Sequence, residues 1–524
     1  MPYNFLPADR DQVLLLPPDL KNWLPEDHLA WFVLACVKQM DLSSFFAHRR
    51  ADGHGRAAFH PEMMVALLLY AYCVGERSSR GIERRCIEDV AFRVIAANST
   101  PDHSTIARFL QAHDEELAGL FGETLRLCAR AGLIRVGVVA IDGTRMEANA
   151  SDDKNYTAEQ IEALVERTLA QHKATDAEED DLFGERRGDE LPEQLTDPTE
   201  RVEWLRKARA QLEAEDAAAE TEDEARLAAR AAQQERGRKP RGRKPKRRKG
   251  SQRGRPKRIN VTDPDCRSMH SSRGWISGYN GQAVVTAEQI VIAAELTNSP
   301  SDAHHFEPML ELARTNLDAS GIAEHLGTVV ADAGYMSERN AATKRSSDVL
   351  IAPGSNKAMR TGDLRKPKDR SLERQRRIEA LNAQTDRRVA LIERAVSEGW
   401  GLARLAAELG VVVSRASALR KRFIAEGRDG LRPGNMPAPL APPSPTAREA
   451  MAERLATERG RATYTLRSST IEPVFGQIKE ARGMRRMQRR GLSACATEWL
   501  MIMTTHNLRK LAALGSELGA GAVA

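Results

Sequence analysis

Two short runs of apolar, β-branched residues, each ending in an aspartate, constrain the fold of this 524-residue chain most strongly. The first reads VVAID and ends at Asp142, and the second reads VVAD and ends at Asp332. Such runs predict buried strands of a sheet, with each strand ending at its aspartate. Because ligands bind beyond the strand ends of an open sheet, both carboxylates are expected at the edge of a rigid platform. Taken singly, each aspartate is more typical of a turn or cap residue.

A third carboxylate, Glu472, is expected in the first turn of a later helix. Thr470 is the predicted cap of that helix, and Pro473 suits its first turn. Lys479 follows Glu472 by seven residues, which places both on one face of an α-helix. Three carboxylates can hold two Mg²⁺ ions, which clamp the attacking and leaving oxygens of a phosphate. A neighbouring lysine can bind the adjacent phosphate.

The charge is distributed unevenly along the chain, although the net charge is only +6. Residues 155–235 carry 23 acidic and 10 basic side chains, whereas residues 236–258 carry 14 basic side chains and no acidic one. A basic segment of that density usually meets a polyanion, and nucleic acid is the first candidate. A solvated linker is the alternative, and the two interpretations are compatible.

The remaining composition narrows the class of protein. Six cysteines stand far apart without a CxxC pair, which indicates neither disulfides nor a zinc site. The longest apolar run, Met63 to Val74, is too short to span a bilayer, and the N-terminus lacks the pattern of a signal peptide. We therefore expect a soluble cytoplasmic protein with no membrane contact.

The pattern of elements predicts an all-helical N-terminal domain and a mixed α/β core. A helix is expected from Pro61 to Val74 and another from Ser79 to Ala97, and Ser104 or Thr105 should cap a third. A DNA-binding domain and a purely structural cap are equally compatible with this helical part. The predicted parts are the helical domain 1–130, core 131–154, an acidic helical insertion 155–235, a basic arm 236–258, core 259–354, a helical insertion with a Pro-rich linker 355–460, and the Glu472 helix with a C-terminal helix 461–524.

The motifs together resemble those of bacterial insertion-sequence DDE transposases with an InsH-type N-terminal helical domain. The similar segments are PDHSTIARF, VVAIDGT, GYNGQ, ADAGY, IEPVFGQIKE and HNLRKL, which extend over nearly the whole chain. The C-terminal segment is similar to the family's tyrosine–arginine–glutamate–lysine signature. The resemblance implies a ribonuclease-H-like catalytic core and the use of Mg²⁺, with two ions expected and Mn²⁺ able to replace them.

By the same resemblance, Asp142, Asp332 and Glu472 form the catalytic, metal-binding triad. Tyr464, Arg467 and Lys479 match the positions that grip DNA. The signature usually has three residues between the arginine and the glutamate, whereas four separate Arg467 from Glu472. After Lys479, the nine residues 482–490 contain five arginines, and a solvated helix face is the alternative to phosphate contacts. The DNA-binding residues expected outside the signature are Arg482, Arg485, Arg486, Arg253, Arg255, Lys257 and Arg258.

Two further segments have the patterns of DNA readers. RGRPKR, at residues 253–258, resembles an AT-hook, which lies in a narrow A·T minor groove; a flexible linker is the alternative. Residues 403–423 resemble a helix-turn-helix with Leu402, Leu405 and Leu409 in its first helix and Gly410 in the turn. The reading helix is expected from Ser414 to Phe423. Because the turn is about two residues longer than usual, a plain helical hairpin is the alternative.

The sequence therefore predicts a DNA transposase that cleaves and transfers the ends of an insertion sequence. A metal-dependent nuclease without strand transfer and a non-catalytic DNA-binding remnant are the alternatives. Since one active site must act on paired ends, we expect a homodimer assembled on double-stranded DNA, associated with the bacterial nucleoid.

Overall fold

The structure is a computed structural model, and it describes residues 19–47, 58–175, 198–235, 258–271, 273–342, 347–354, 370–431 and 447–517. The chain divides into two compact units. The larger combines Met1–Ala352 with Met451–Ala524, and the smaller is Pro353–Ala450. The basic arm and the AT-hook-like segment, both up to residue 257, and the Pro-rich linker lie outside the described residues.

Every named element before residue 131 is helical. The α-helices are α1 Leu29–Val37, α2 Pro61–Cys73, α3 Ser79–Glu88, α4 Val90–Ile95, α5 His103–Ala112 and α6 Asp114–Arg130. The helix predicted from Ser79 to Ala97 is broken at Asp89, whose carboxylate caps α4 by accepting from Ala91 N at 2.9 Å. The predicted caps of α5 were also wrong, because Asp102 accepts from Thr105 N at 2.7 Å.

A six-stranded mixed sheet forms the centre of the larger unit. Strands β5, β1, β7 and β8 are neighbours in that order, and both β4 and β6 pair with the other edge of β5. β1 runs antiparallel to β5 and parallel to β7. The strands are β1 Val138–Glu147, β4 Arg267–Ser271, β5 Gly274–Thr286, β6 Val291–Thr297, β7 Thr328–Ala331 and β8 Asp348–Ile351; β2 Asn155–Tyr156 and β3 Ile259–Asn260 form a separate pair.

The prediction that the first strand ends at Asp142 was wrong, because β1 continues to Glu147. The two edges of β1 are paired over different lengths. The edge facing β5 is paired as far as Glu147, whereas the edge facing β7 is paired only as far as Ile141. The sequence pattern detected the apolar half of the strand, and the antiparallel partner extends it through the polar half. β7 ends at Ala331, directly before Asp332, as predicted.

Helices cover the sheet. α9, Phe306–Ala319, packs against β6, and the long C-terminal helix, Leu492–Glu517, packs against β6, α6 and α2. Asn507 fixes the C-terminal helix to β6, since its side chain accepts from Val291 N and donates to Val291 O, both at 2.8 Å. The HNLRKL motif therefore has a structural role here.

The acidic insertion contains α7 Ala158–Thr175 and α8 Pro198–Glu235, where a helical insertion was predicted. The two helices are less solvated than expected, because they share an apolar core with β3. That core comprises Ile161, Val165, Val202, Leu205, Leu212, Ile259 and Val261.

Glu472 begins a short helix, α16 Glu472–Gly476, which follows α14 Ala447–Ala456 and α15 Glu458–Thr470. The predicted cap is wrong, because Thr470 belongs to α15 and its hydroxyl donates to Leu466 O at 2.7 Å. Pro473 occupies the first turn, as predicted. A π-helical turn, Gln477–Ala481, follows α16, and the C-terminal helix is named α17.

The short helix Glu338–Ala342 of the larger unit is α10. The smaller unit contains α11 Arg370–Ser397, α12 Leu402–Leu409 and α13 Val413–Glu426. The three helices surround their own apolar core. None of the described helices combines the length and the apolar character that crossing a membrane requires.

Candidate active site

The guanidinium of Arg467 lies between two of the three carboxylates singled out in the sequence. It forms an ion pair with Asp142 and a second with Glu472, whose Oε1 is 3.0 Å from Nη1. Helix α15, which carries Arg467, packs against both β1 and β7. The Arg467 side chain is only 7% exposed, while that of Glu472 is 52% exposed. Arg467 thus joins a buried carboxylate of the sheet to a solvent-facing one of α16.

Asp332 belongs to the same group of charges. It follows β7, which runs parallel to β1 and pairs Ala331 with Ile141, so Asp332 and Asp142 each come directly after a paired residue of neighbouring strands. One Asp332 oxygen accepts from Gly334 N at 2.8 Å. Its charge raises the pKa of Arg467, as do the charges of Asp142 and Glu472. Two of the three predicted carboxylates therefore pair with Arg467, and the third acts on the same arginine through its charge.

The edge of β1 that faces β7 has an opening beside Asp142. β7 pairs with this edge only up to Ile141, and the next backbone partner is Arg486, which forms a parallel bridge with Glu147. Lys479 reaches the interval between them, where its Nζ donates to Arg145 O at 2.6 Å. The opening therefore has an acidic residue at one end and a lysine ammonium near the other.

Burial dominates the electrostatics of Asp142 and raises the pKa of its carboxyl to about 7. Arg467 and the amide of Gly143 lower this pKa, but Asp332 and Asp302 raise it further. Burial lowers the pKa of Arg467, yet the nearby carboxylates, Asp142 first, more than offset this effect. The arginine therefore stays charged in a cluster that holds more carboxylates than cations.

Two polar groups beside these carboxylates are buried without a hydrogen-bond partner in the described part of the chain. They are the hydroxyl of Tyr464 and Nε of Arg467. Burial raises the pKa of Tyr464 to about 12, and the three carboxylates act in the same direction, so the hydroxyl keeps its proton. A buried donor without a partner costs free energy, so each of these two donors has capacity for a ligand.

A fourth carboxylate, Asp302, lies at the same place and was missed in the sequence. A Cβ built on Gly143 would be 2.7 Å from Asp302 Oδ1, and one built on Gly334 would be 3.2 Å from Oδ2. Asp302 therefore sits between the residue after Asp142 and the loop after Asp332. Its Oδ1 pairs with Arg145 Nη1 at 3.2 Å, and its side chain is 19% exposed.

The GYNGQ motif holds Asp302 in position. Asn280 Nδ2 and Gln282 Nε2 donate to Asp302 Oδ1 at 2.7 and 2.9 Å, and the Tyr335 hydroxyl donates to Gln282 Oε1. Asp302 follows no apolar run, so strand patterning could not identify it. The polar pair Asn280 and Gln282 in an otherwise buried strand was the available signal.

Lys479 lies in the π-helical turn rather than in a regular α-helix. The argument from α-helical spacing is therefore wrong in its geometry, although the lysine does reach β1. Burial lowers the pKa of Lys479 to about 8, and Arg485 lowers it further. Because π-helical turns concentrate at functional sites, this irregularity favours a role for the segment.

The arginines after Lys479 have acceptors within the protein, contrary to the open basic face expected from their spacing. Arg482 donates to Thr505 Oγ1 at 3.0 Å, and Arg486 donates to the carbonyls of Ala148 and Ala150 at 3.1 and 3.2 Å. The other pairs are Arg485 with Glu480, Arg489 with Asp114, and Arg490 with the carbonyl of Asn149. Their binding to DNA stays a prediction. Arg258 is exposed before β3, while Arg253, Arg255 and Lys257 lie outside the described residues.

The chemistry of these carboxylates suits a divalent cation, but the distances between them in the structure are too long for one ion. Carboxylate oxygens are the ligands that Mg²⁺ prefers, and the cluster carries excess negative charge around Asp142. Across the described ranges, however, no three His, Cys, Asp or Glu side chains are close enough to hold one ion. Arg467 accounts for the spacing, because its guanidinium occupies the place between Asp142 and Glu472.

Comparisons with known proteins match two separate segments of the chain. Residues 18–112 match the family described as Transposase domain (DUF772), and residues 441–512 match the Transposase DDE domain. The second match includes Tyr464, Arg467, Glu472 and Lys479. No curated protein and no solved structure matches the chain. The two family matches identify this chain as a DDE-type DNA transposase.

Proposed function

We propose that the protein cleaves the ends of an insertion sequence and joins them to target DNA, with Asp142, Asp332 and Glu472 as its catalytic carboxylates. The observation that carries this proposal is the position of Arg467, which pairs with Asp142 and Glu472 and whose pKa is raised by the charge of Asp332 as well. Neither family match extends to Asp142 or Asp332, so their assignment depends on this geometry. The mixed sheet with aspartates on adjacent parallel strands supports a ribonuclease-H-like core.

The three carboxylates would hold divalent cations, with two Mg²⁺ ions as the expected occupants and Mn²⁺ as their substitute. Bound there, such ions polarise the scissile phosphate and activate the attacking water or 3′-hydroxyl. Arg467 would then exchange its carboxylate partners for a phosphate of the DNA. Its unpartnered Nε and the unpartnered Tyr464 hydroxyl would be available to donate to that phosphate.

Lys479 would hold a second phosphate at the opening in β1. Its ammonium uses one of three protons on Arg145 O, so donors remain for a ligand. Asp302 would act as a positioning residue, since its bonds to Asn280, Gln282 and Arg145 fix the loops beside Asp142 and Asp332. We further propose that two copies of the chain act together on the paired ends, in the nucleoid of a bacterial cell.

The proposal is tested with the full-length protein, Mg²⁺ and a labelled duplex carrying the terminal inverted repeats that flank the gene. Glu472→Gln and Asp142→Asn should each slow single-turnover cleavage on the order of a thousandfold, because a metal-bound transition state loses several kcal/mol. Both variants should still bind the duplex, since positioning contacts lie elsewhere. Glu453→Gln, an exposed carboxylate of α14, is the matched control.

Joining is measured separately with a plasmid target. Cleavage of the labelled duplex together with its transfer to the plasmid supports a transposase reaction by this site. Cleavage without transfer would identify a nuclease, and binding without cleavage would identify a DNA-binding remnant. Cleavage by Glu472→Gln at the wild-type rate would remove Glu472 from the site.

A further inference from the structure

The smaller unit presents a helical surface that the proposed reaction does not use. α11, α12 and α13 enclose one apolar core, with Trp400 and Leu405 among its buried members. This unit interrupts the chain between Asp332 and Glu472, the second and third proposed carboxylates. It therefore has its own packing and an outer surface whose function remains to be explained.

α12 and α13 are consecutive helices joined by a short turn, as in a helix-turn-helix. α12 ends at Leu409, and Gly410 adopts a left-handed conformation with φ of 64°. Val411 N donates back to Ala406 O at 3.0 Å, which closes the C-terminus of α12. Three residues, Gly410 to Val412, then separate α12 from α13, the turn length that this motif uses. The turn is shorter than the sequence indicated, because α13 begins at Val413.

α13 has two distinct faces. Ala416 is buried, and Leu419 and Phe423 pack against the core of the unit. The residues on the opposite side are exposed and follow helical spacing, at positions i, i+1, i+4, i+7 and i+8. They are Ser414, Arg415, Ala418, Lys421 and Arg422.

The cations on this outer face are not used to hold the fold. Arg415, Lys421 and Arg422 form no ion pair with any described residue, whereas Arg404 stacks on the Trp400 ring at 4.1 Å and Arg420 donates to Trp400 O. Small residues, Ser414 and Ala418, separate the cations and allow a ligand to approach the helix backbone. A row of uncompensated cations and small side chains on a rigid helix suits a ligand with a regular anionic surface.

We propose that α13 enters the major groove of double-stranded DNA and reads its sequence, a function beyond cleavage and joining at the carboxylates. Residues at the N-terminal end of a reading helix contact base edges, which assigns Arg415 to the O6 and N7 atoms of a guanine. Exposed Val413, at 48%, is placed to contact a thymine methyl group. Lys421 and Arg422, farther along the helix, bind phosphates and fix its register.

The proposal is tested by selecting bound duplexes from a random library with the full-length protein in EDTA. Wild type should enrich a motif containing a guanine that Arg415→Ala no longer selects. Affinity for the wild-type motif should fall about tenfold to a hundredfold in Arg415→Ala, the usual discrimination of a bidentate contact. Arg415→Lys keeps the charge but lacks the planar guanidinium that donates two parallel hydrogen bonds, so it should lose the guanine preference as well.

Lys421→Ala tests the phosphate contact. It should weaken binding to all duplexes alike and reduce the slope of log affinity against log salt by about 1. Arg387→Ala removes one exposed positive charge from α11 and is the matched control for both variants. It should leave the motif and the affinity as in wild type.

Three results would overturn the proposal. One is an unchanged motif in Arg415→Ala and Arg415→Lys; another is an equal effect of Arg387→Ala, which would indicate a general charge effect. The third is a change in oligomer mass without any change in DNA selection, which would make α13 a contact between copies of the chain. Melting temperatures of all variants should match wild type, because the substituted side chains are exposed.

Discussion

The arginines after Glu472 and those of α13 look alike in the sequence but differ in the structure. Arg489 bonds to Asp114 and Arg486 to backbone carbonyls, so these cations join the C-terminal segment to the rest of the larger unit. Arg415 and Lys421 are exposed and lack ion-pair partners among the described residues. A dense run of basic residues therefore does not distinguish a structural cation from a DNA-binding one. The hydrogen-bond acceptors that the fold places around each cation make that distinction.

Arg467 provides the largest expected effect on stability, because its side chain is buried and pairs with two carboxylates. Arg467→Ala should lower the free energy of unfolding of the metal-free protein by about 3 kcal/mol, since Asp142 is left buried without its cation. Thermal unfolding in EDTA measures the loss. Mg²⁺ should restore more stability to this variant than to wild type, because the guanidinium no longer occupies the place between the carboxylates.

Arg459→Ala, an exposed arginine of the same helix, is the control for Arg467→Ala. It should unfold like wild type. If Arg467→Ala also unfolds like wild type, the ion pairs around Asp142 do not stabilise the metal-free fold.

Lys479 should make the cleavage rate depend on pH. Lys479→Ala should slow single-turnover cleavage about tenfold or more, the value of one charged hydrogen bond to phosphate. Because burial places the pKa of Lys479 at about 8, the ammonium is present below that pH and is lost above it. Cleavage by wild type should therefore decline between pH 8 and about pH 9, one unit above this pKa.

Lys479→Arg supplies the control, because an arginine keeps its charge throughout this range. Its cleavage rate should show no decline above pH 8. A rate for Lys479→Ala within about twofold of wild type, far from the tenfold expectation, would leave Lys479 without a role in the reaction.

Arg489 gives the smallest expected effect and the sharpest contrast with α13. Arg489→Ala should cost about 1 kcal/mol in the free energy of unfolding, because its ion pair with Asp114 is partly exposed. The salt dependence of DNA binding should stay unchanged. Lys421→Ala should show the reverse pattern. A flatter salt slope in Arg489→Ala would mean that Arg489 contacts phosphate and that the contrast is incorrect.

Much of the local structure could be predicted from the sequence. The β-branched run before Asp332 and the helix from Pro61 both appear where their patterns indicated. The errors occur where a polar residue decides an element boundary. Asp89 divides a helix that periodicity alone would continue, and β1 extends past Asp142 because β5 pairs with its polar half.

The sequence by itself determined the strands and helices that carry Asp142, Asp332 and Glu472, since apolar periodicity and turn chemistry act over a few residues. Only the tertiary structure decided which charges meet. Arg467 reaches Asp142 across 325 positions of the chain, and Asp302 lies beside Gly143 and Gly334 without any local pattern that marks it. Electrostatic energies depend on distance and burial in space, and no spacing along the chain supplies either quantity.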